Sequence, residues 1–380
     1  MQGVAVHINA FNFPVWGMLE KLAPTFLAGM PAIVKPASAT AYLTEAAVRI
    51  MLDANVLPKG ALQLIVGSAG DLFEHLTMQD VVSFTGSAAT AAKLKTHPVI
   101  TRESIRFVAE QDSLNASVLG PDATPDSPDF DLFIKEVAKE MTAKAGQKCT
   151  AIRRALVPAK LLDAAQAALI ARLEKTTIGD PRDEATRMGA LVSVSQRQDV
   201  RDKIAEIARD GAIVYGDPSA APVNDKGAFI SPVLMRCEKP WDARAVHDVE
   251  AFGPVSTLMP YKDAADAIAL ANRGKGSLVM SAFTYDTEFA RELVLGSGAF
   301  HGRLAFIDRD SAKESTGHGS PMPHMIHGGP GRAGGGEEMG GIRGVTHYMQ
   351  RSALQGHPRV LSAIVKRYVA GMPVENAEQH

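Results

Sequence analysis

Cys149, in Gly146-Gln147-Lys148-Cys149-Thr150, and Glu110 are the two residues best suited to act together on a substrate. A thiol attacks only after losing its proton, and a carboxylate in a cleft can accept that proton or activate a water. Glu110 closes the strand-like run Ile105-Arg106-Phe107-Val108-Ala109, while Cys149 follows a helical segment that ends on a glycine. From this pair alone, a small buried thiol and a surface charge are an equally good account. Asn12, in Phe11-Asn12-Phe13-Pro14, could donate to a developing oxyanion or simply hold the turn before Pro14. Lys35-Pro36 ends a strand where doubly wound sheets meet a nucleotide ribose, although a solvated lysine reads the same way. Thr85-Gly86-Ser87 opens an alanine-rich helix whose free amides would attract phosphate, unless Ser87 is a plain cap. No G-x-G-x-x-G fingerprint accompanies it.

Five histidines, His301, His318, His324, His327 and His347, crowd towards the carboxyl end without ligand spacing or nearby cysteines, so no metal site is expected. A cysteine hydrolase with a histidine base is a second class of reading, but no spacing selects one of the five.

These side chains need strands and helices to hold them. Strand-like runs at 3–8, 32–35, 62–66, 81–85 and 105–109 alternate with helix-like runs at 16–28, 44–54, 71–77 and 88–94. Such alternation predicts an α/β fold, a Rossmann-like parallel sheet covered by helices. Lys35, Gly67, Gly86, Ser87 and Glu110 all fall at strand carboxyl ends, where ligands of such sheets bind. A Pro/Asp-rich linker over 120–131 precedes a helix over 132–145. A second α/β set follows, with strands at 155–157, 212–214, 255–259 and 280–283 and helices at 159–175 and 196–210. In 317–344, 11 of 28 residues are glycine, against 33 in the whole chain, which predicts backbone packed close to something else. A strand is expected over 346–353, then a polar tail. The domain expectation is a cofactor-binding domain over 1–119, a catalytic domain over 120–316, and a glycine-rich loop, oligomerisation strand and tail over 317–380.

A chain of 380 residues suits two domains, and 46% hydrophobic with 22% charged residues is ordinary globular composition. Forty basic and 42 acidic residues give a net charge of −2, so neither nucleic acid nor an anionic membrane is an expected partner. Cys149 and Cys237, the only cysteines, build no disulfide framework, and a cytoplasmic location is expected.

Taken in order, Phe11-Asn12-Phe13-Pro14, Lys35-Pro36-Ala37, Phe84-Thr85-Gly86-Ser87, Glu110, Gly146-Gln147-Lys148-Cys149 and Glu250-Ala251-Phe252-Gly253-Pro254-Val255 resemble the aldehyde dehydrogenase superfamily over nearly the whole chain. Glu110-Gln111-Asp112-Ser113-Leu114-Asn115 and the run from Asp308 to Pro321 resemble its branch acting on semialdehydes of ring-opened CoA thioesters from aromatic degradation. The resemblance implies that Cys149 is the nucleophile, that Glu110 is the general base, and that the Asn12 side chain and Cys149 amide form the oxyanion hole. It places Ser87 at the pyrophosphate, Lys35 at the adenosine ribose, Glu250 at the nicotinamide ribose and Phe252 beside the nicotinamide, with Phe11, Ser38, Gly67 and Gly86 also expected to bind the cofactor. NAD-preferring members carry a glutamate three residues after that lysine, and Ser38 stands there instead, so NADP is expected over NAD. The implied substrate is a CoA-linked semialdehyde, such as 3,4-dehydroadipyl-CoA semialdehyde or its phenylacetate-derived counterpart, 3-oxo-5,6-dehydrosuberyl-CoA semialdehyde. The implied assembly is a homodimer.

Phe11, Gln111-Asp112 and the helix after Ser87 depart from the usual pattern. The family's segment ahead of the first strand has no counterpart here, so an amino-terminally truncated chain and a poorly folding monomer are expected. A thioesterase that needs no cofactor and a fragment that only binds nucleotide are the readings from other classes.

Overall fold

Short apolar runs rich in β-branched residues form β1 (Ala5–Ile8), β2 (Ala32–Lys35), β3 (Leu62–Leu64), β4 (Val81–Thr85) and β5 (Arg106–Glu110). In the computed structural model, which describes residues 2–224, 226–336 and 341–372, they form one parallel sheet in the order β3-β2-β1-β4-β5. Parallel neighbours need crossovers, supplied here by α1 (Trp16–Leu27) and α2 (Ala41–Asp53), and by α3 (Ala88–Lys95) with α4 (Pro98–Arg102). Strand order reverses between β1 and β4, so the crevice beyond their carboxyl ends is the switch point. Asn12, Gly86, Ser87 and Glu110 follow or end the strands there.

The second sheet has seven strands: β6 (Ala116–Leu119), β7 (Arg154–Pro158), β8 (Ala212–Tyr215), β9 (Val233–Arg236), β10 (Val255–Tyr261), β11 (Ser277–Phe283) and β12 (His301–Ile307). Their order is β12-β11-β6-β7-β10-β9-β8, with only β8 and β9 antiparallel. α5 (Pro128–Thr142) and α6 (Leu162–Leu173) cover one face through Phe133, Met141 and Leu169. α7 (Val194–Ile207), α8 (Ala245–Asp248), α9 (Ala264–Asn272) and α10 (Thr287–Ser297) cover the other through Val200, Val246, Leu270 and Leu293. Every residue of β7 and β11 is buried, as strands enclosed on both faces require.

Three expectations change. β6 pairs with β7 and β11, so the chain passes from one sheet to the other within 111–115, ahead of the boundary expected at 119. The Pro/Asp-rich run is no linker. Ser127 caps α5, Pro128 opens it and Asp129 and Asp131 lie in its first turn, which are helix-start signals. The strand expected over 346–353 is replaced by α11 (Ile342–Tyr348), with no strand after it among the described residues. A strand needs a paired edge, whereas the Tyr348 ring is buried beside Ala5 and Val81 and its hydroxyl donates to Ser83 Oγ at 3.1 Å.

The glycine-rich segment does press backbone on backbone. Gly334, at φ 101, leaves no room for a side chain, because a Cβ would stand 2.3 Å from the Ala109 carbonyl of β5. Gln111 N–H donates to Ala333 O at 3.0 Å, so this loop is moored on the end of β5. By contact the chain forms two units, Gln2–Tyr348 and the residues from Met349 on. The latter contains α12 (Pro358–Val365), capped by the His357 ring. The expected polar tail lies outside the described residues from 373 on.

Candidate active site

The position of Cys149 is determined by the turn before it and the clamp behind it. α5 stops at Thr142 because Lys144, Ala145 and Gly146 adopt φ of 55°, 52° and 66°. A Cβ on Gly146 would stand 2.1 Å from Gly253 O, so glycine alone lets the two segments pass. Buried Arg153 ties them together, donating to Gly253 O at 2.7 Å and Gly146 O at 2.9 Å. Asn115 Nδ2 donates to the carbonyls of Cys149 (2.8 Å) and Ala151 (3.0 Å), while its Oδ1 accepts from Ser113 Oγ and Val279 N–H. The Gln111–Asn115 stretch, notable in the sequence without a role, is therefore the anchor of the cysteine loop.

Glu110 is 2% exposed at the end of β5, and its Oε2 lies 3.2 Å from His327 Nε2. The same nitrogen is 3.9 Å from Cys149 Sγ. Donor atoms of all three residues lie within 4.8 Å of one another. Burial pushes the Glu110 carboxyl up, but the charges of His327 and Lys21 outweigh it and hold the group below its ordinary value. Cys149 is partly exposed at the pocket mouth, yet enclosure of its thiol and the Glu110 charge push it up to about 12, against the pull of His327. Burial disfavours the charged His327 ring, but Glu110 and Cys149 raise it well above the usual imidazole range. The resting arrangement is an imidazolium between a carboxylate and a neutral thiol. His327 is thus one of the five carboxyl-terminal histidines brought to the site, and only the glycines after it marked its segment as closely packed. His301 and His318 instead bond Ser277 and Ser281 inside the second sheet, and burial holds both rings below their usual value.

Two cavities meet at Cys149. One, of about 230 Å³, is lined by Asn12, Phe13, Trp16, Lys144 and His327 together with Glu110 and Cys149. The Lys144 ammonium lies 3.6 Å over the Phe13 ring centre and bonds the Asn12 carbonyl. The other, of about 680 Å³, fills the switch-point crevice and also reaches Asn12, Glu110 and Cys149. Phe11, Lys35, Gly86, Ser87, Glu250 and Phe252 all line it. Phe11 and Phe252 meet edge to face at 5.8 Å. Ser38 and Gly67 do not line it: Ser38 is exposed at the start of a short turn beyond β2, and Gly67 follows β3 at φ 109. Ser87 acts as a cap, its Oγ accepting from Thr90 N–H at 3.3 Å. The Asp112 carboxylate accepts from Ala88 N–H at 2.9 Å, so the first amide of α3 already has an anionic partner.

Glu250 is buried, with Oε2 accepting from Ser113 N–H at 3.2 Å and Oε1 3.5 Å from Arg153 Nε. Burial pushes its carboxyl up to about 7, with Arg153 opposing and Asp112 reinforcing the shift. Lys21, also buried, donates to Thr85 Oγ1 at 2.7 Å. Neither Lys21, Lys144 nor Arg153 was singled out in the sequence, because each sits in a helix or loop that carries no pattern beyond a lone basic residue.

Residues 2–353 match the model of the aldehyde dehydrogenase family. The chain belongs to that family. It is 48% identical over 334 residues to the 3,4-dehydroadipyl-CoA semialdehyde dehydrogenase of Aromatoleum evansii, covering 87% of this chain and 65% of that one. It is also 48% identical over 194 residues to protein MaoC of Klebsiella aerogenes, covering 51% of this chain and 57% of the relative. The match therefore spans less than two thirds of the length of either relative. A crystal structure of betaine aldehyde dehydrogenase from Staphylococcus aureus with NAD+ superposes with a TM-score of 0.78 at 26% identity, covering 91% of this chain and 65% of that one. Succinic semialdehyde dehydrogenase from Streptococcus pyogenes shares the fold, with a TM-score of 0.80 at 22% identity, over 93% of this chain and 73% of that one.

Proposed function

We propose that this aldehyde dehydrogenase oxidises an aliphatic semialdehyde, carried on a CoA thioester, to its carboxylic acid with NADP. The observation that carries the reading is the place of Cys149 at the meeting point of two cavities, with Glu110 and Asn12 bordering both. An aldehyde oxidation needs one carbon reached by a nucleophile and, from another side, by a hydride acceptor. The larger cleft suits a dinucleotide. Glu250 Oε1 is buried without a hydrogen bond, and so fits a ribose hydroxyl, while Lys35 borders the same cleft. A nicotinamide bound there would supply the hydride acceptor.

The chain's own residues do the rest. The Cys149 thiolate adds to the aldehyde carbon, and the Asn12 amide and the Cys149 N–H hold the oxyanion that forms. Glu110 then activates a water, which releases the acid from the thioester on Cys149. The 3,4-dehydroadipyl-CoA semialdehyde named for the Aromatoleum evansii relative supports the substrate class. The two free cysteines suit a cytoplasmic enzyme, and exposed apolar side chains such as Leu27 and Ile50 suit association into a homodimer.

Replacing Cys149 by Ala should abolish reduced-cofactor formation from aldehyde while cofactor binding, read by fluorescence titration, persists. Turnover by that variant comparable to wild type would refute the mechanism. The Cys149–His327–Glu110 arrangement favours a second reading, thioester cleavage without a nicotinamide. Assaying thioester cleavage and aldehyde oxidation with and without cofactor separates the two.

A further inference from the structure

We propose that His327 is a catalytic residue of this site, the imidazolium counter-ion that makes the Cys149 thiolate attainable. The inference rests on the dehydrogenase reading of the same site and adds a group that the Cys149–Glu110–Asn12 assignment leaves out. A single nitrogen, Nε2, stands 3.2 Å from the Glu110 carboxylate and 3.9 Å from the Cys149 sulfur. Nε2 meets the sulfur in hydrogen-bonding geometry, whereas Glu110 Oε2 has no hydrogen bond and is held by the ion pair alone. When the Cys149 S–H bond breaks and its proton forms an O–H bond on Glu110, the carboxylate loses its charge and the Nε2–H is already placed to donate to the thiolate. Neutral thiol, carboxylate and imidazolium become thiolate, carboxylic acid and imidazolium. The trio has zero net charge before and after, which a buried pocket favours over creating an unpaired anion.

The other charged groups facing the pocket have partners of their own. Lys21, from α1, donates to Thr85 Oγ1 and lies 3.8 Å from Glu20. Glu20 also accepts from Trp16 Nε1 at 2.8 Å. Lys144 is bonded to the Asn12 carbonyl, and Lys148 is paired with Glu140 at 2.5 Å. Among the described residues, His327 is therefore the basic side chain the structure brings into contact with the sulfur. It is held there by its loop. A Cβ on Gly302 would meet the Gly328 carbonyl at 1.7 Å, so the residue after His327 is packed against β12, and Ala333 and Gly334 lie on β5.

The test is the pH dependence of Cys149 alkylation by iodoacetamide in the absence of any nicotinamide, with the label located by mass spectrometry to separate it from Cys237. His327→Gln keeps volume and a donor without the charge, and His327→Phe removes both. Each should move the thiol titration to higher pH and slow labelling near neutrality by about tenfold or more, since a tenfold change corresponds to one pKa unit. Glu110→Gln removes the group that receives the thiol proton and should slow labelling near neutrality as well. If Glu110 alone activates the thiol, both His327 variants will label like wild type and Glu110→Gln will label more slowly at every pH. Labelling like wild type in a folded His327 variant overturns the proposal, and the second His327 variant decides if the first misfolds. Labelling needs neither aldehyde nor cofactor. Failure of the dehydrogenase reading would instead appear as absence of reduced nicotinamide, whatever the labelling shows.

Discussion

At position 38 a hydroxyl stands where a carboxylate would reject a 2′-phosphate. Ser38 is exposed just beyond β2, three residues after Lys35, whose ammonium donates to the Pro36 carbonyl at 3.3 Å. A phosphate between them would gain charge-assisted hydrogen bonds of about 1.5–3 kcal/mol each, roughly one to two decades of preference. Ser38 lies outside the lining of the cleft, so its effect is confined to a ligand that projects past Ala37. The expected outcome is a higher kcat/KM with NADP than with NAD, and a reversal of that ratio in Ser38→Glu. A wild type that prefers NAD, or a ratio unmoved by the glutamate, would remove Ser38 as the discriminator. Asp112 acts in the opposite sense at the other end of the crevice, where its carboxylate occupies the first amide of α3 and disfavours a phosphate on that amide.

Elements explain why the pair Cys149 and Glu110 could be read from the chain while its supports could not. The five strands of the first sheet are short apolar runs between helices, and their carboxyl ends can be marked from pattern alone. The loop that carries Cys149 depends on three successive residues at positive φ, of which only Gly146 signals its conformation by residue type. Lys144 and Ala145 extend a helical pattern, so pattern carries the helix to 145, but the backbone leaves it at Thr142. Asn115 and Arg153 act through carbonyls distant in sequence, and no local spacing reveals such partners. Gly146→Ala therefore tests the element. The added methyl meets Gly253 O at 2.1 Å in a conformation alanine disfavours. Strain of that kind costs on the order of 1–3 kcal/mol before the clash is counted. Urea unfolding should show a loss of about 2–4 kcal/mol, and any folded variant should lose most of its turnover as the cysteine loop shifts. Unchanged stability and rate would show that the loop tolerates a side chain there.

Over the whole molecule, the site is assembled from segments that share no sequence neighbourhood. His327 lies 178 residues from Cys149, and Glu250 lies 137 from Ser113, whose amide it accepts. This is why one histidine of five could not be chosen from the sequence, and why the 346–353 stretch, read in isolation as a strand, ends as a helix and a buried tyrosine. Enclosing Glu250 between the sheets has a cost that depends on pH. Its carboxyl is pushed from 4.5 up to about 7 by burial, so between those values the folded chain holds a proton that the unfolded chain has released. Stability from this group is therefore present below about 4.5 and is lost as pH rises to about 7. The shift corresponds to a few kcal/mol, on the order of 3 at 1.36 kcal/mol per pKa unit. Glu250→Gln cannot ionise. Its unfolding free energy relative to wild type, measured in urea, should therefore rise by that order between about pH 4.5 and pH 7 and stay level above it. The opposing attraction of Arg153, which acts only on the ionised carboxylate, is already contained in that net shift. A difference that does not vary with pH would mean that Glu250 titrates in the folded chain as it does in water.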